Sequence, residues 1–266
     1  MPTHALHEPH YDIHDGTGPY LLMVHGFLSS RAQWQLNLAA LSQVARPVVV
    51  ELWGHGRSPS PDDPKRYHPD AYVDFFDALR QRLGVEQWMV CGQSLGAALT
   101  LRYAFTHPSR VLAHVFTNSS AGLADAAWLA TRRQSAWEQA DAIDQEGRAA
   151  VERIPVHPRH AKRLPAEVHQ ALLADTALHT PEGIARTLRY TTPESPVRHR
   201  VGENRVPTLL VCGERERRFT DKRKFVEGAM PHLEVVGTPG GHAVNIETAD
   251  EFNAAVVAFI QRHAQR

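Results

Sequence analysis

Short apolar runs recur along the chain, and each is followed by a glycine or a polar turn. Six runs have this form, at 20–26, 47–54, 87–92, 111–118, 207–213 and 232–237. They are rich in β-branched residues and only six to eight residues long. This pattern is typical of strands that are buried on both faces of a parallel sheet.

Segments with the period of a helix alternate with these runs. The segment 69–84 carries an apolar stripe of helical spacing that Gly84 terminates. The segment 247–263 carries another stripe, for which Thr248 and Glu251 form a predicted capping box. Because strands and helices alternate, the pattern predicts an open, doubly wound and mostly parallel α/β sheet.

Two parts of the chain depart from this alternation. Residues 4–18 predict one or two antiparallel strands at an edge of the sheet, with 16–18 as a turn. Residues 122–200 contain helical windows but no strand run, which favours a helical cap, or lid, inserted into a core of 1–121 and 201–266. An extra helical layer that only adds core is the alternative.

Charge and hydropathy limit the kinds of molecule that the protein is expected to bind. Lysine and arginine number 29, and so do aspartate and glutamate, which leaves no basic field for nucleic acid or anionic membranes. No apolar run approaches the ~20 residues of a membrane span, and the first residues show no secretory signal pattern. We therefore expect a cytoplasmic protein that acts on a small molecule; its oligomeric state stays open.

The histidines and cysteines do not predict a metal site. Seventeen histidines are present, but none has the spacing of a metal-binding motif. Both cysteines, Cys91 and Cys212, lie within apolar strand runs, where buried reduced thiols are the usual outcome. No metal and no cofactor are expected.

The stretch VCGQSLGA, residues 90–97, joins a predicted strand to a helix of small residues. It places Ser94 between Gly92 and Gly96, the G-x-S-x-G pattern of a nucleophile elbow. The two glycines allow the sharp turn that exposes the serine hydroxyl. The pattern predicts that Ser94 is a nucleophile, with a small polar turn residue as the alternative.

A serine hydroxyl needs a base, and the base needs an acid to orient it. His242 follows two glycines after the last strand run, where this architecture carries its histidine. The acid is expected after the preceding strand run, and we favour Glu216 over Asp221, with Glu214 and Asp125 as further alternatives.

The oxyanion of acyl transfer needs two backbone donors. Leu95 is predicted to be the first residue of the helix after the serine. Its N–H, at the N-terminus of that helix, is one expected donor. Gly26 allows a turn after the first long strand run, so the amide of Phe27 is the second expected donor.

The substrate pocket is expected to include Gln93, beside the nucleophile, and apolar residues of the inserted helices. Trp128, Leu123, Trp137 and Leu129 are the candidates. At helical spacing such residues are more often core, and that alternative stays open.

Five segments in this order, HGF, ELWGHGRS, GQSLGA, CGERERRF and GGHAVNIE, resemble the α/β-hydrolase superfamily over essentially the whole chain. The resemblance implies an α/β-hydrolase fold with a serine nucleophile. In this family the loop 54–58 is a hallmark of structural purpose, so His55 is expected to serve the turn and not the chemistry.

Within the superfamily the chain is most similar to the group of 2-succinyl-6-hydroxy-2,4-cyclohexadiene-1-carboxylate synthase and related esterases and C–C bond hydrolases. Three positions depart from that group. Glu216 stands where aspartate is usual, Ala98 where an arginine is usual, and Gln93 where an aromatic residue is common. The missing arginine argues against a highly anionic substrate unless Arg132 or Arg133 replaces it.

Three functions are compatible with these residues. The favoured one is hydrolysis of a carboxylic ester, lactone or thioester through an acyl-enzyme on Ser94. The second uses the same triad for proton abstraction in C–C bond hydrolysis or elimination. The third is a ligand sensor without turnover, since a fold alone does not fix a function.

Overall fold

A computed structural model of the chain describes residues 7–264. Seven strands form one sheet in the order β1-β3-β2-β4-β5-β6-β7. The strands are β1 (Tyr11–Ile13), β2 (Tyr20–Val24), β3 (Arg46–Val50), β4 (Trp88–Gly92), β5 (Val111–Thr117), β6 (Thr208–Gly213) and β7 (Leu233–Thr238). All neighbouring pairs are parallel except β1 with β3. The predicted doubly wound sheet is confirmed.

Of the one or two antiparallel edge strands predicted near the N-terminus, the described residues contain one, β1. This single short strand lies antiparallel to β3 at one edge of the sheet, with Tyr11 opposite Val50. The segment 14–19 then returns the chain to β2 and does not form a hairpin turn between neighbouring strands. Residues 4–6 of the predicted segment lie outside the described residues.

Ten α-helices are described, of which several are single turns. They are α1 (Leu38–Leu41), α2 (Pro69–Arg82), α3 (Leu95–Thr106), α4 (Ala126–Glu146), α5 (Arg148–Arg153), α6 (Ala166–Thr176), α7 (Pro181–Arg186), α8 (Thr220–Ala229), α9 (Val244–Glu247) and α10 (Ala249–His263). Within the described part of the chain, no helix combines the length and the apolar character that crossing a membrane requires.

Both faces of the sheet are covered, as continuous apolar strands require. Alternate residues of β2 point to opposite faces, so Leu22 packs with α2 and α3 whereas Met23 packs with α1 and α10. The apolar stripe predicted for 69–84 forms the buried face of α2.

The predicted capping box at α10 does not form. Thr248 is the N-terminal cap residue, but its hydroxyl accepts no hydrogen bond from the first turn of the helix. It donates to the Val244 carbonyl oxygen, 2.9 Å away, and lies 2.9 Å from the Thr238 hydroxyl. The Val244 carbonyl oxygen, which accepts from the Thr248 hydroxyl, belongs to α9, the helical turn immediately before Thr248.

The described chain between β5 and β6 is helical and carries α4 to α7. Its middle part has an apolar cluster of its own, formed by residues such as Ala140, Ile143, Ile184 and Leu188. Its two ends pack on the core instead, because Leu123 and Val201 belong to the cluster around α3 and β6. That this segment acts as a lid stays a prediction.

Candidate active site

The strand order changes direction between β2 and β4. The chain proceeds from β2 to β3 on one side, then returns to place β4 on the other side of β2. In open α/β sheets, ligands bind in the crevice at the carboxyl ends of strands flanking such a point. Phe27 follows β2 and Ser94 follows β4, so both residues lie at this crevice.

The turn at Ser94 is strained in the way that a nucleophile elbow requires. Ser94 has φ 53° and ψ −110°, a left-handed conformation that a side chain disfavours. An added Cβ on Gly92 would lie 2.5 Å from the Gly96 carbonyl oxygen, and one on Gly96 would lie 2.5 Å from the His25 carbonyl oxygen. No larger residue fits at either position, so both glycines are needed to place the serine above β4.

His242 and Glu216 are in direct contact. The Nδ1 atom of His242 lies 3.0 Å from each carboxylate oxygen of Glu216. The loop after β7 reaches the end of β6 closely because Gly213 has no side chain; a Cβ there would overlap the Gly240 and Gly241 carbonyls. This approach brings an imidazole from one loop onto a carboxylate from the other.

Asn118, at the end of β5, holds the Glu216 carboxylate. Its amide nitrogen donates to Glu216 Oε2 and, at 3.4 Å, to the Gly241 carbonyl oxygen. Its amide oxygen accepts from the Gly213 N–H at 3.2 Å. Asn118 is fully buried. It joins the loops that carry the acid and the histidine, and the sequence analysis did not identify it.

Glu247, in α9, holds the backbone on both sides of His242. Its carboxylate accepts from the Gly241 N–H at 3.0 Å and from the Ala243 N–H at 3.3 Å. The sequence analysis missed this residue also, although a glutamate five residues after the predicted histidine was visible.

The three alternative acids lie elsewhere. Asp221 is exposed in the first turn of α8, and Glu214 is exposed beside Gly237. Asp125 caps α4, where its side chain accepts from the Trp128 N–H at 2.8 Å. Of the four carboxylates considered, the one that contacts His242 is Glu216.

The two predicted oxyanion donors face the crevice with their N–H groups available. Within residues 7–264, neither the Phe27 amide nor the Leu95 amide donates to a protein acceptor. Leu95 is the first residue of α3, where helix N–H groups have no intrahelical partner. Both amides can therefore donate to a ligand oxygen.

Two buried histidines support the loop that carries Phe27. His25 Nδ1 donates to the Gly26 carbonyl oxygen at 2.7 Å, and its Nε2 accepts from the Leu52 N–H. His55 Nε2 accepts from the Leu28 N–H at 3.2 Å. Burial lowers the pKa of each imidazole to about 3, so both rings are neutral.

A cavity of about 560 Å³ opens at this crevice. Ser94, His242, Phe27 and Leu95 all line it, as does Gln93, whose side-chain amide donates to the His242 carbonyl oxygen at 3.3 Å. The structure thus brings the predicted nucleophile, the predicted base and both predicted amide donors to one cavity.

The rest of the lining is mainly apolar and comes from the inserted helices. Trp128 lies on this wall, together with Ile154, Leu164 and Leu188. Two arginines also line the cavity, Arg132 and Arg218, and the cavity lining includes no carboxylate. The space suits an apolar ligand that carries a polar or anionic group.

Three predicted pocket residues do not line this cavity. Leu123 is fully buried in the core beneath α3. Trp137, 42% exposed, lines a separate outer cleft beside Tyr190. Trp128 and Trp137 are nine residues apart in α4, which is two and a half turns, so they lie on opposite faces of the helix. Leu129 also lies outside the cavity lining.

The structure shows why position 98 has no arginine. Ala98 is fully buried against Gly122, where an added Cβ would lie 2.9 Å from the Ala98 Cβ. A long side chain at this position would displace the turn after β5. Of the two replacement arginines, Arg132 lines the cavity, whereas Arg133 pairs with Glu194 at 2.6 Å on the outer surface.

Three buried histidines, His25, His55 and His179, lie close together, but they are not arranged to hold a metal ion. Within the described residues, no group of three His, Cys, Asp or Glu side chains could hold a metal ion. Both cysteines are buried free thiols, and burial raises their pKa.

Comparison with known proteins agrees with this fold. A family model described as alpha/beta hydrolase fold matches residues 19–249. A Bacillus subtilis (strain 168) relative assigned as a 2-succinyl-6-hydroxy-2,4-cyclohexadiene-1-carboxylate synthase is 26% identical over 247 residues, covering 90% of this chain and 89% of its own.

Solved structures share the fold at low identity. MenH from S. aureus superposes with a TM-score of 0.84 at 22% identity, covering 97% of this chain and 99% of its own. The enol-lactonase from Burkholderia xenovorans LB400 has a TM-score of 0.74 at 22% identity, with coverage of 95% and 96%. The resemblance found in the sequence is confirmed, and the chain belongs to the α/β hydrolase fold family.

Proposed function

We propose that the protein is a serine hydrolase that cleaves a small-molecule carboxylic ester, lactone or thioester. Ser94 Oγ attacks the carbonyl carbon while His242 Nε2 accepts the hydroxyl proton. The tetrahedral intermediate then expels the alcohol or thiol, which takes that proton from the imidazolium, and an acyl ester on Ser94 remains. Water, activated by the same imidazole, hydrolyses this ester to release the acid and regenerate the serine.

The surrounding residues stabilise the charges that develop in these steps. Glu216 accepts from His242 Nδ1, which selects the tautomer with an accepting Nε2 and stabilises the imidazolium. The Phe27 and Leu95 amides donate to the oxyanion. Because backbone donors are already oriented in the folded protein, their stabilisation needs no reorganisation during reaction.

One observation carries this proposal: His242, whose imidazole contacts the Glu216 carboxylate, lines the same cavity as a strained serine. Strain at a non-glycine residue, a partly buried acid and two amides without acceptors each have a use in acyl transfer. The names of similar proteins, a synthase and an enol-lactonase, also describe acyl or C–C chemistry on small molecules.

The test is active-site labelling combined with turnover. A fluorophosphonate should add one phosphonyl group to Ser94, seen in the intact mass and located by peptide mapping, and short nitrophenyl esters should be hydrolysed. Ser94→Ala should lose both. A wild-type protein that neither reacts with the phosphonate nor hydrolyses the esters would contradict the proposal and favour a ligand sensor.

A second function is favoured by the arginines of the cavity. Neither Arg132 nor Arg218 has a carboxylate partner among the ion pairs of residues 7–264, and both line the cavity. Such a lining suits a substrate that carries its own carboxylate. In this second function, Ser94 and His242 would remove a proton from the substrate without forming an acyl ester.

Mass spectrometry of a rapidly quenched reaction separates the two functions. An acyl adduct on Ser94 during turnover supports ester hydrolysis. Turnover of a carboxylate-bearing substrate without any adduct supports proton abstraction. In heavy water, the substrate carbon that loses its proton should then also exchange hydrogen for deuterium.

A further inference from the structure

Leu28, immediately after the oxyanion donor Phe27, has an unusual backbone. Its φ is 55°, a left-handed value that a branched side chain disfavours, and the residue is buried. Such a conformation persists only where the surroundings determine it. The N–H of Leu28 donates to His55 Nε2 at 3.2 Å, so a buried imidazole is one element that holds it.

The peptide before Phe27 is fixed from the other side. The Gly26 carbonyl oxygen accepts from His25 Nδ1 at 2.7 Å and from the Ser29 N–H at 3.3 Å. A trans peptide is planar, so its N–H points opposite to its carbonyl. Holding the Gly26 carbonyl toward His25 therefore directs the Phe27 N–H away from it. Rotation of this one peptide would remove an oxyanion donor.

A third histidine reaches this loop from the inserted helical segment. His179 lies between α6 and α7, buried, with its ring edge against His55 at a centroid distance of 5.2 Å. Its Nδ1 accepts from the Gly56 N–H at 2.9 Å, so its proton is on Nε2. That Nε2 makes no hydrogen bond of ordinary geometry within residues 7–264.

Burial keeps the His179 imidazole neutral. Burial and the neighbouring His55 lower the pKa of this imidazole well below its usual value. Its link to Leu28 runs through His55, whose ring lies against His179 and whose Nε2 accepts from the Leu28 N–H.

The segment that carries His179 packs tightly on the hallmark loop 54–58. An added Cβ on Gly54 would lie 2.5 Å from the Gly183 Cα, and the Thr180 N–H donates to the Gly54 carbonyl oxygen at 3.1 Å. The side chain of Leu28 also belongs to the apolar cluster of the inserted helices. Leu28 therefore contacts both the hallmark loop 54–58, through His55, and the inserted helices.

We propose that His179 is a positioning residue for the oxyanion hole, which it orients through His55 and Leu28. The inserted helical segment then contributes to catalysis as well as to the cavity wall, although none of its side chains needs to touch the reacting atoms. This inference rests on the proposed acyl transfer, because it assigns to Phe27 the role of oxyanion donor.

The test compares His179→Ala and His179→Gln with His169→Ala, a control in the same helical segment. His169 makes one backbone contact there, with the Pro158 carbonyl oxygen at 3.0 Å, and does not line the cavity. Loss of a complete oxyanion donor costs about 10²- to 10³-fold in kcat. We expect His179→Ala to lower kcat about 10- to 100-fold with little change in KM. Glutamine, whose Nε2 can replace the buried N–H, should restore part of the loss, and His169→Ala should retain wild-type kcat.

A tetrahedral inhibitor gives a readout that a general loss of packing would not produce. A boronic acid that forms an adduct on Ser94 should bind His179→Ala more weakly by about the same factor as kcat falls, whereas the carboxylate product should bind unchanged. Thermal unfolding confirms that the variants are folded. Equal weakening of both ligands, or unchanged kcat in a folded His179→Ala, would overturn the proposal.

The rate of phosphonate labelling separates this inference from the proposed function. Phosphonylation of Ser94 places a P–O oxygen in the same hole, so it reports on Phe27 even if esters are not the substrate. Normal labelling of wild type with slow labelling of His179→Ala supports the inference without ester turnover. Equal labelling rates for wild type and His179→Ala count against it.

Discussion

His242 Nδ1 is equidistant from the two carboxylate oxygens of Glu216, at 3.0 Å from each. The acid side chain is only 16% exposed, whereas the imidazole is 43% exposed. This contact occupies Nδ1, which leaves Nε2 as the ring nitrogen that can accept a proton from Ser94. The pair therefore fixes both the tautomer and the direction of proton transfer.

Replacing Glu216 with glutamine should disrupt this tautomer while preserving the volume of the side chain. An amide can donate to Nδ1, which places the imidazole proton on Nε2 and removes the base. We expect kcat for a nitrophenyl ester to fall by about 10³- to 10⁴-fold, less than for Ser94→Ala. Asp221→Asn, an exposed control, should leave kcat unchanged; a silent Glu216→Gln with an inactive Asp221→Asn would reassign the acid.

The strained backbone at Ser94 is expected to lower the stability of the folded protein in return for placing the serine for catalysis. Glycine adopts φ 53° without steric cost, so Ser94→Gly should raise the free energy of unfolding by about 1 kcal/mol. Ser94→Ala keeps a Cβ and should retain the strain. Chemical denaturation of the two variants measures the difference directly. Equal stability of both would show that the elbow is not strained.

Asn118 should act on catalysis through Glu216. Asn118→Ala removes the donor to the acid and the acceptor of the Gly213 N–H, both buried. We expect a kcat decrease of about 10-fold and a loss of about 1 to 3 kcal/mol in unfolding free energy. The control is Ser195→Ala, a buried residue bonded within its own turn to the Thr192 carbonyl oxygen. Ser195→Ala should lose stability but keep kcat.

The buried neutral histidines predict acid sensitivity of the fold. Burial lowers the pKa of His25, His55 and His114 to about 3. As pH falls below about 6.5, the unfolded chain binds protons that the folded protein does not, so stability falls by about 1.4 kcal/mol per pH unit for each histidine, until about pH 3. Of the difference in unfolding free energy between pH 7.5 and 5.5, measured by urea denaturation, these three histidines should contribute about 4 kcal/mol.

One histidine can be removed to check the origin of this slope. His114 lies inside the sheet, with its Nε2 3.0 Å from the Thr100 hydroxyl. His114→Gln removes one titrating group, so the loss between pH 7.5 and 5.5 should shrink by about 1.4 kcal/mol. An unchanged slope would mean that His114 does not contribute.

The two tryptophans of α4 provide a matched pair for the cavity wall. Trp128 lines the catalytic cavity, whereas Trp137 lines the outer cleft. Trp128→Ala should raise KM for long acyl chains more than for acetyl esters, since each buried methylene contributes about 0.8 kcal/mol. Trp137→Ala should leave both KM values unchanged. A chain-length effect in Trp137→Ala would place the acyl site in the outer cleft.

The elbow and the histidine could be predicted because local constraints determine them. Gly92 and Gly96 stand where backbone approaches leave no room for a Cβ, and the pattern of apolar runs places Ser94 after a central strand. Glu216 was chosen by its position after a strand, and its contact with His242 depends on how the loops after β6 and β7 meet. The sequence alone left four acids open for that reason.

Other residues depend on tertiary packing that a single pattern does not show. Asn118 holds the site by hydrogen bonds to loops that are distant in sequence, whereas Glu247 holds the backbone of its own loop, beside His242. Helical spacing could have separated Trp128 from Trp137, since nine residues reverse the face of a helix. Which of the two faces the cavity depends on how α4 packs, and periodicity does not contain that information.

The close approach of Gly54 to Gly183 limits how the inserted helices can move. The two main chains meet there with no side chain between them, and an added Cβ on Gly183 would lie 2.4 Å from the Gly54 Cα. Any displacement of the inserted helices at this junction would therefore also shift the loop 54–58, whose His55 holds the Leu28 N–H beside the predicted oxyanion donor.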